Sequence, residues 1–213
     1  SDPINFTLAD FRKMLVSAAM SGCHDVTLKS GDQAKAKFRG NQYNMTRRAL
    51  NDGEVNNILT EVYGAANARS EINSAKPIDT SFDIMMPDGK NQRFRVNATG
   101  VYGGIEVTMR VLSRDTPTKE MVGLTDDLIE AMSPENGLVV VSGETGSGKS
   151  TTNAAVLREH LIRKIKTCKI VDFQAPIEYT FTDITADPNV ASMISCSEVG
   201  RNLQSFAQGV HTA

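Results

Sequence analysis

The stretch GLVVVSGETGSGKS, residues 137–150, carries the strongest structural signal in this sequence. Its first part, Gly137 to Ser142, is a continuous apolar run bounded by turn residues, which predicts a strand buried on both faces of a sheet. Its second part, Gly143 to Ser150, matches the pattern G-x-x-x-x-G-K-[ST] at every fixed position. Apolar residues then recur at helical spacing, which predicts a helix from Lys149 to about Ile165. A strand, a glycine-rich loop and a helix in this order form the setting in which that pattern holds phosphate.

The residue types of this loop suit a nucleoside triphosphate. Glycines let the backbone curl until successive amides point at one anion, and the start of a helix adds partial positive charge. Lys149 supplies a full charge for the β- and γ-phosphates, Ser150 supplies a hydroxyl for Mg²⁺, and Thr151 is placed to contact the α-phosphate. The sequence therefore predicts ATP and Mg²⁺ as cofactors, with Ser150 as the metal ligand. The predicted nucleotide-binding residues are Gly143, Thr145, Gly146, Ser147, Gly148, Lys149, Ser150 and Thr151.

The chain on both sides of the loop alternates helix and strand. Leu124 to Met132 predicts a short helix, and Cys168 to Phe173 predicts a strand. Together with the strand at 137–142 and the helix after the loop, this order predicts a βαβ unit with a parallel sheet and a right-handed crossover. Apolar residues from Leu203 to Val210 predict a last helix. We therefore predict an α/β domain over residues 121–213.

The first half of the chain predicts a mixed α+β domain over residues 1–113. A capping box at Thr7–Asp10 begins a helix that Gly22 closes, and a second helix runs from Asn51 to Gly64. Period-two alternation and turn residues predict strands around Val26–Leu28, Gln33–Arg39, Phe82–Ile84, Phe94–Val96 and Ile105–Leu112. Residues 114–120 have no apolar periodicity and contain Pro117, so they are predicted to form a linker.

Composition excludes several classes of protein. Lys and Arg number 23 against 25 Asp and Glu, which gives a net charge of −2 and argues against a nucleic-acid coat or a membrane-surface binder. No apolar run is long enough to span a bilayer, and Ser1-Asp2-Pro3 lacks an export pattern. Three widely separated cysteines fit a reduced cytosolic chain better than a disulfide framework. We expect a cytoplasmic protein without a transmembrane segment and without base-specific nucleic-acid binding.

Further motifs succeed one another along the chain in a recognisable order. They are CHDVTL at 23–28, RFRVN at 93–97 with Arg110 beyond it, GETGSGKST at 143–151, PIEY at 176–179, and SEV at 197–199 followed by Leu203–Ala207. In this order and spacing they resemble the secretion ATPases of the type II/type IV superfamily, the PilT-like motors. Within that superfamily the pattern is similar to the DotB/TraJ branch of type IVB secretion and conjugation systems.

The resemblance implies a fold, an assembly and a set of site residues. It implies a PAS-like α+β domain joined by a flexible linker to a RecA-like P-loop domain, assembled as a homo-hexameric ATPase. Such a motor is cytoplasmic and docks at the inner membrane through components of the secretion apparatus. Lys149 and its loop correspond to Walker A, Glu178 to the glutamate of the P-I-E motif, and Arg95 and Arg110 to the arginine box. The resemblance thus implies Glu178, Lys149, Arg95 and Arg110 as catalytic residues.

Two departures from the family pattern affect the expected activity. Gln174 stands where the pattern usually carries an acid, and a glutamine brings no charge to a Mg²⁺ shell. No apolar strand ending in an acidic pair comes after Val210, so we expect the RecA-like domain to be incomplete and residues 1–213 alone to turn over ATP very slowly.

Two other functions remain as alternatives at this stage. A metabolic P-loop kinase would need an acceptor pocket and usually an arginine-rich lid, but residues from Ile184 to Val199 contain no arginine. A regulatory nucleotide-binding module without turnover fits Gln174 and the absence of a second acid. The motor, the kinase and the regulatory module all predict nucleotide binding, and they differ in the fate of the bound nucleotide.

Overall fold

A six-stranded sheet organises the first of two units into which the chain divides, with the boundary between Leu112 and Ser113. The computed structural model describes residues 5–163 and 167–212. Neighbouring strands of this sheet are antiparallel. The strands are β1 (Asp25–Lys29), β2 (Lys35–Phe38), β3 (Asn41–Asn44), β4 (Ile78–Met85), β5 (Asn91–Val101) and β6 (Gly104–Val111), in the spatial order β3-β2-β1-β6-β5-β4.

Three helices accompany this sheet: α1 (Leu8–Met20), α2 (Asp52–Tyr63) and α3 (Ala68–Asn73). Thr7 and Asn51 cap the first two through reciprocal hydrogen bonds with the acid three residues on. Gly64 closes α2 in the left-handed conformation, at φ 76°. The two predicted helices and the five predicted strands of this half are therefore confirmed, whereas β3 and α3 carry no periodicity that predicted them.

The core of the first unit lies between α1, α2 and one face of the sheet. Burial alternates along β5 and β6, so that Val96 and Met109 point into the core. From the helices, Phe11 and Leu59 meet them in one continuous apolar cluster. The opposite face of the sheet is therefore polar, and it carries the arginines that the sequence analysis singled out.

The second unit contains five helices and two strands within the described residues. They are α4 (Lys119–Val122), α5 (Asp126–Ala131), α6 (Lys149–Ile162), β7 (Lys169–Gln174), α7 (Thr182–Thr185), β8 (Met193–Glu198) and α8 (Phe206–Thr212). β7 and β8 are parallel, with Gln174 opposite Glu198 at their carboxyl ends. Helix α6 begins at Lys149 as predicted and ends at Ile162, because Arg163 is extended, and residues 164 and 165 of the predicted helix lie outside the described residues. Leu203 precedes α8 instead of forming part of it.

The strand predicted at 137–142 is not formed. Leu138 and Val140 expose 86% and 72% of their surface. A strand needs a hydrogen-bonded neighbour to satisfy its backbone groups and to cover its side chains. In the part of the chain that the structure describes, β7 pairs with β8 and no ladder includes this run. The prediction of a strand buried on both faces, and of a βαβ unit beginning there, is therefore wrong for these residues, and the parallel pair is β7–β8.

The predicted linker region, residues 114–120, bonds to the rest of the second unit through Thr116 and through Lys119, which begins α4 and donates to Asp126. Thr116 is buried, and both its backbone N–H and its hydroxyl donate to the carboxylate of Asp183, at 3.1 and 2.7 Å. Arg158 of α6 lies 3.6 Å from the same carboxylate.

In residues 5–163 and 167–212, no helix is long and apolar enough to cross a membrane.

Candidate functional site

The loop before α6 has the backbone shape that its glycines predict. Gly146 and Gly148 adopt positive φ, at 82° and 89°, where a side chain is strained. Gly148 is also the residue that precedes the first turn of α6, and among the described residues no side chain caps that turn. The first amides of a 14-residue helix are thus left for a partner that is not a side chain. An anion is the partner that a helix start of this kind favours.

The loop is also tightly closed at its beginning. A side chain at Gly143 would place its Cβ 2.8 Å from the hydroxyl oxygen of Ser147, closer than real Cβ contacts. The N–H of Ser147 donates to the carbonyl of Glu144 at 3.2 Å, across the turn that contains Thr145. A side chain at position 143 would therefore force the Ser147 hydroxyl to move, and the loop residues 143–147 are exposed to a ligand from solvent.

Lys149 lies across the loop. Its ammonium donates to the carbonyls of Gly143 and Glu144, at 3.0 and 2.8 Å. The charge is therefore held at the loop. Ser150 and Thr151 come next in the first turn of α6, with Ser150 exposed. Loop amides, one ammonium and a hydroxyl at a helix start make a donor set that fits a triphosphate with a bound Mg²⁺.

Glu178 lies on a turn just beyond the carboxyl end of β7. The N–H of Glu178 donates to Gln174 Oε1 at 2.8 Å, and the N–H of Ile177 donates to Glu198 Oε2 at 3.1 Å. Gln174 Nε2 donates to the carbonyl of Tyr179 at 3.2 Å. The carboxyl ends of parallel strands are where ligands bind in open α/β sheets. Glu178 therefore lies at the carboxyl-end edge of the β7–β8 pair, the edge where sheets of this kind bind ligands.

Two acids of this edge had no assigned role in the sequence analysis. Asp172 accepts from Gln174 Nε2 on its own strand and lies opposite Cys196 on β8. Burial raises the pKa of Asp172 above its usual value, although hydrogen bonds from Gln174 and Cys196 oppose that shift. Glu198 is only 3% exposed. The period of two placed Asp172 and Gln174 on one face of β7, but only the strand pairing brings Glu198 to them.

Arg95 and Arg110 are brought together on the polar face of the first unit. They are direct neighbours across β5 and β6. Like charges directly opposite each other destabilise a sheet, and here each arginine has its own carboxylate. Arg95 donates to both oxygens of Asp79, at 3.2 and 2.7 Å, and Arg110 donates to Asp25 at 2.9 Å. The side chains of Arg110 and Arg95 remain 65% and 37% exposed, so Arg110 is the more accessible guanidinium of the pair.

Both units of the chain match one known family. Residues 4–196 match the profile of the family described as Type II/IV secretion system protein. The chain belongs to the Type II/IV secretion system protein family. The resemblance to this superfamily on the quoted motifs is thereby confirmed.

Individual members of the Type II/IV secretion system protein family share the fold. The X-ray structure of the Legionella pneumophila ATPase DotB is similar over 100% of this chain and 57% of that chain, with a TM-score of 0.88 and 31% identity. A crystal structure of the pilus retraction motor PilT with bound ADP is similar over 94% of this chain and 55% of that chain, with a TM-score of 0.78 and 26% identity.

The sequence relatives lead to the same family. The type IV pilus retraction ATPase PilT of Pseudomonas aeruginosa is 26% identical over 204 residues, which cover 96% of this chain and 56% of that protein. The chain therefore spans somewhat more than half the length of this relative and of the two solved structures.

Proposed function

We propose that the protein to which this chain belongs hydrolyses ATP as a motor of a type IV (type IVB-like) secretion or conjugative transfer system. The observation that carries the proposal is the loop 143–148, which leads into an uncapped helix start with Lys149 held across it. The family membership and the relatives DotB and PilT support the same activity. ATP binding and hydrolysis are coupled to movement of the parts of the motor.

The residues of the chain divide the work of phosphoryl transfer. The loop amides and Lys149 bind the β- and γ-phosphate oxygens, and Thr151 contacts the α-phosphate. The Ser150 hydroxyl would hold Mg²⁺, which would supply positive charge against the phosphates. Glu178 orients the attacking water from the turn after β7. Binding and positioning supply most of the catalysis here, because a loose transition state needs little covalent assistance.

The first unit contributes the arginines in this proposal. Arg95 and Arg110 stabilise negative charge that develops in the transition state, and they do so on nucleotide held in a homo-hexameric ring. Their adjacent guanidinium groups supply planar sets of donors that match phosphate oxygens. In the same proposal the first unit is a PAS-like domain and the second a RecA-like P-loop domain. The ring works in the cytoplasm and docks at the inner membrane through other secretion-system components.

Substitution of the loop lysine tests the proposed function. Lys149→Ala removes the charge that faces the β- and γ-phosphates, so the affinity for Mg²⁺·ATP should fall by about tenfold or more. Titration of a fluorescent ATP analogue into the full-length protein measures that affinity. The matched control is Lys169→Ala, which removes an exposed lysine of β7 in the same unit. An unchanged affinity in Lys149→Ala, with the protein folded, would refute the assignment of the nucleotide site.

A further inference from the structure

Two side chains from neighbouring strands hold three consecutive residues of the turn that carries Glu178. Glu198 at the end of β8 accepts from the N–H of Ile177 at 3.1 Å. Gln174 at the end of β7 accepts from the N–H of Glu178 at 2.8 Å and donates to the carbonyl of Tyr179 at 3.2 Å. Because Gln174 and Glu198 are opposite each other in the parallel ladder, the turn is fixed from both strands at once.

The surroundings of Gln174 determine which way its amide points. Its Nε2 faces two acceptors, the carboxylate of Asp172 and the carbonyl of Tyr179. Its Oε1 is therefore turned towards a donor, the N–H of Glu178. A glutamate at 174 would place a second charged carboxylate against Asp172 and would offer no donor to either acceptor. The residue at 174 needs one donor end and one acceptor end.

Glu198 is itself held in place. It is 3% exposed, its backbone N–H donates to Asn202 Oδ1 at 2.9 Å, and its carbonyl accepts from the N–H of Asn202 at 2.8 Å. These bonds fix the start of its side chain, and the carboxylate reaches across to the N–H of Ile177. A buried carboxylate of this kind acts as a rigid acceptor for backbone.

We propose that Gln174 and Glu198 are positioning residues that clamp the Pro176–Tyr179 turn and thereby fix Glu178 where it acts. This inference rests on the proposed function, in which Glu178 orients the attacking water. Gln174 is then the residue that this site requires and does not replace a catalytic acid. A displacement of about 1 Å at such a residue lowers turnover by about a hundredfold, so the clamp governs kcat without contacting nucleotide.

The first test is Gln174→Glu in the full-length protein. The groups that face position 174 are Asp172 on β7, Cys196 and Glu198 on β8, and Glu178 and Tyr179 of the turn. Two adjacent carboxylates repel each other when both are charged, so at about pH 8 kcat should fall by about ten- to a hundredfold while ATP affinity is unchanged. As the pH is lowered, uptake of a proton by this pair returns a donor, so the loss of kcat relative to the unsubstituted protein should become smaller.

A matched control distinguishes the effect of a charge at position 174 from the effect of an added charge elsewhere in the unit. Gln204→Glu adds the same charge to an exposed residue of the same unit and should show neither the loss of kcat nor its recovery at lower pH. Normal turnover of Gln174→Glu at about pH 8, or a loss that does not change with pH, would overturn the proposal for Gln174.

Glu198 supplies a test that does not depend on Gln174→Glu folding. Glu198→Gln keeps an acceptor for the N–H of Ile177 and should rescue most of the turnover that Glu198→Ala loses. If Glu198 acted through its negative charge, both variants would lose turnover, and that result would overturn the proposal for Glu198.

A double-mutant cycle links the clamp to Glu178. Once Glu178→Gln has removed the carboxylate that is positioned, adding Glu198→Ala should lower kcat little further. Additive losses would mean that Glu198 acts elsewhere and would overturn the clamp. Failure of the proposed function is distinguishable, because then Lys149→Ala would keep its ATP affinity or Glu178→Gln would keep full turnover.

Discussion

Glu54 shows at the scale of one residue how a carboxylate can join three parts of the first unit. Its oxygens accept from the N–H of Phe6 at 2.6 Å, from the N–H of Asn51 at 2.9 Å, and from both ends of the Arg48 guanidinium. The guanidinium of Arg48 lowers the pKa of Glu54 from 4.5 to about 2, and these backbone bonds add to the shift. The segment before α1, the cap of α2 and the loop at Arg48 therefore depend on one charge.

That charge predicts how stability changes with pH. A lowered pKa means that Glu54 stabilises the fold fully above about pH 4.5 and loses this contribution as pH falls towards about 2. Glu54→Gln should therefore lower the free energy of unfolding by about 1–3 kcal/mol at neutral pH and by less near pH 3. Urea unfolding at the two pH values measures this. Glu71→Gln removes a partly exposed ion pair with Lys76 and keeps an acceptor for the side-chain amide of Asn67, so it should have little effect, and an equal loss from both variants would contradict the prediction.

At the scale of elements, the loop 143–148 and the start of α6 together form the proposed phosphate-binding site. Gly148 has φ 89° at the start of α6, and a side chain in that conformation costs about 1–2 kcal/mol. Gly148→Ala should therefore bind ATP about tenfold more weakly, since the strain shifts the amides that face phosphate. Gly123→Ala is the matched control, because Gly123 also has positive φ, at 72°, and follows α4 outside the loop 143–148. Equal ATP affinity in both variants, measured by titration, would contradict the prediction.

The elements also show what the sequence could predict and what it could not. α1 and α2 were predictable because their capping boxes and apolar spacing involve residues only three or four apart. The run 137–142 was predicted as a strand and β8 was not, because a strand depends on a neighbour that can lie anywhere in the chain. The same difference between local and distant contacts explains which residues of the site could be predicted. The pattern itself placed Lys149, whereas the role of Glu198 depends on the pairing of β7 with β8.

At the scale of the whole molecule, the proposed function requires the two units to act together in a homo-hexameric ring. Arg95 and Arg110 belong to the first unit, whereas the loop with Lys149 belongs to the second. Native mass measurement with and without a non-hydrolysable ATP analogue should show a hexamer that nucleotide stabilises. A P-loop kinase would remain a smaller species under both conditions, so the measurement also decides between the two functions.

Arginine substitution in that assembly gives the last prediction. Arg95→Ala and Arg110→Ala should each lower turnover by up to about a thousandfold with little loss of ATP affinity, because an arginine of this kind acts on transition-state charge. Arg69→Ala removes a similar ion-paired arginine from α3 and should leave turnover unchanged.

Because Arg95 and Arg110 oppose each other across the sheet, removal of one also relieves repulsion on its neighbour. The variants should therefore unfold at a temperature close to that of the unsubstituted protein, which separates lost catalysis from lost folding. Normal turnover in both arginine variants would mean that these arginines of the first unit take no part in ATP hydrolysis.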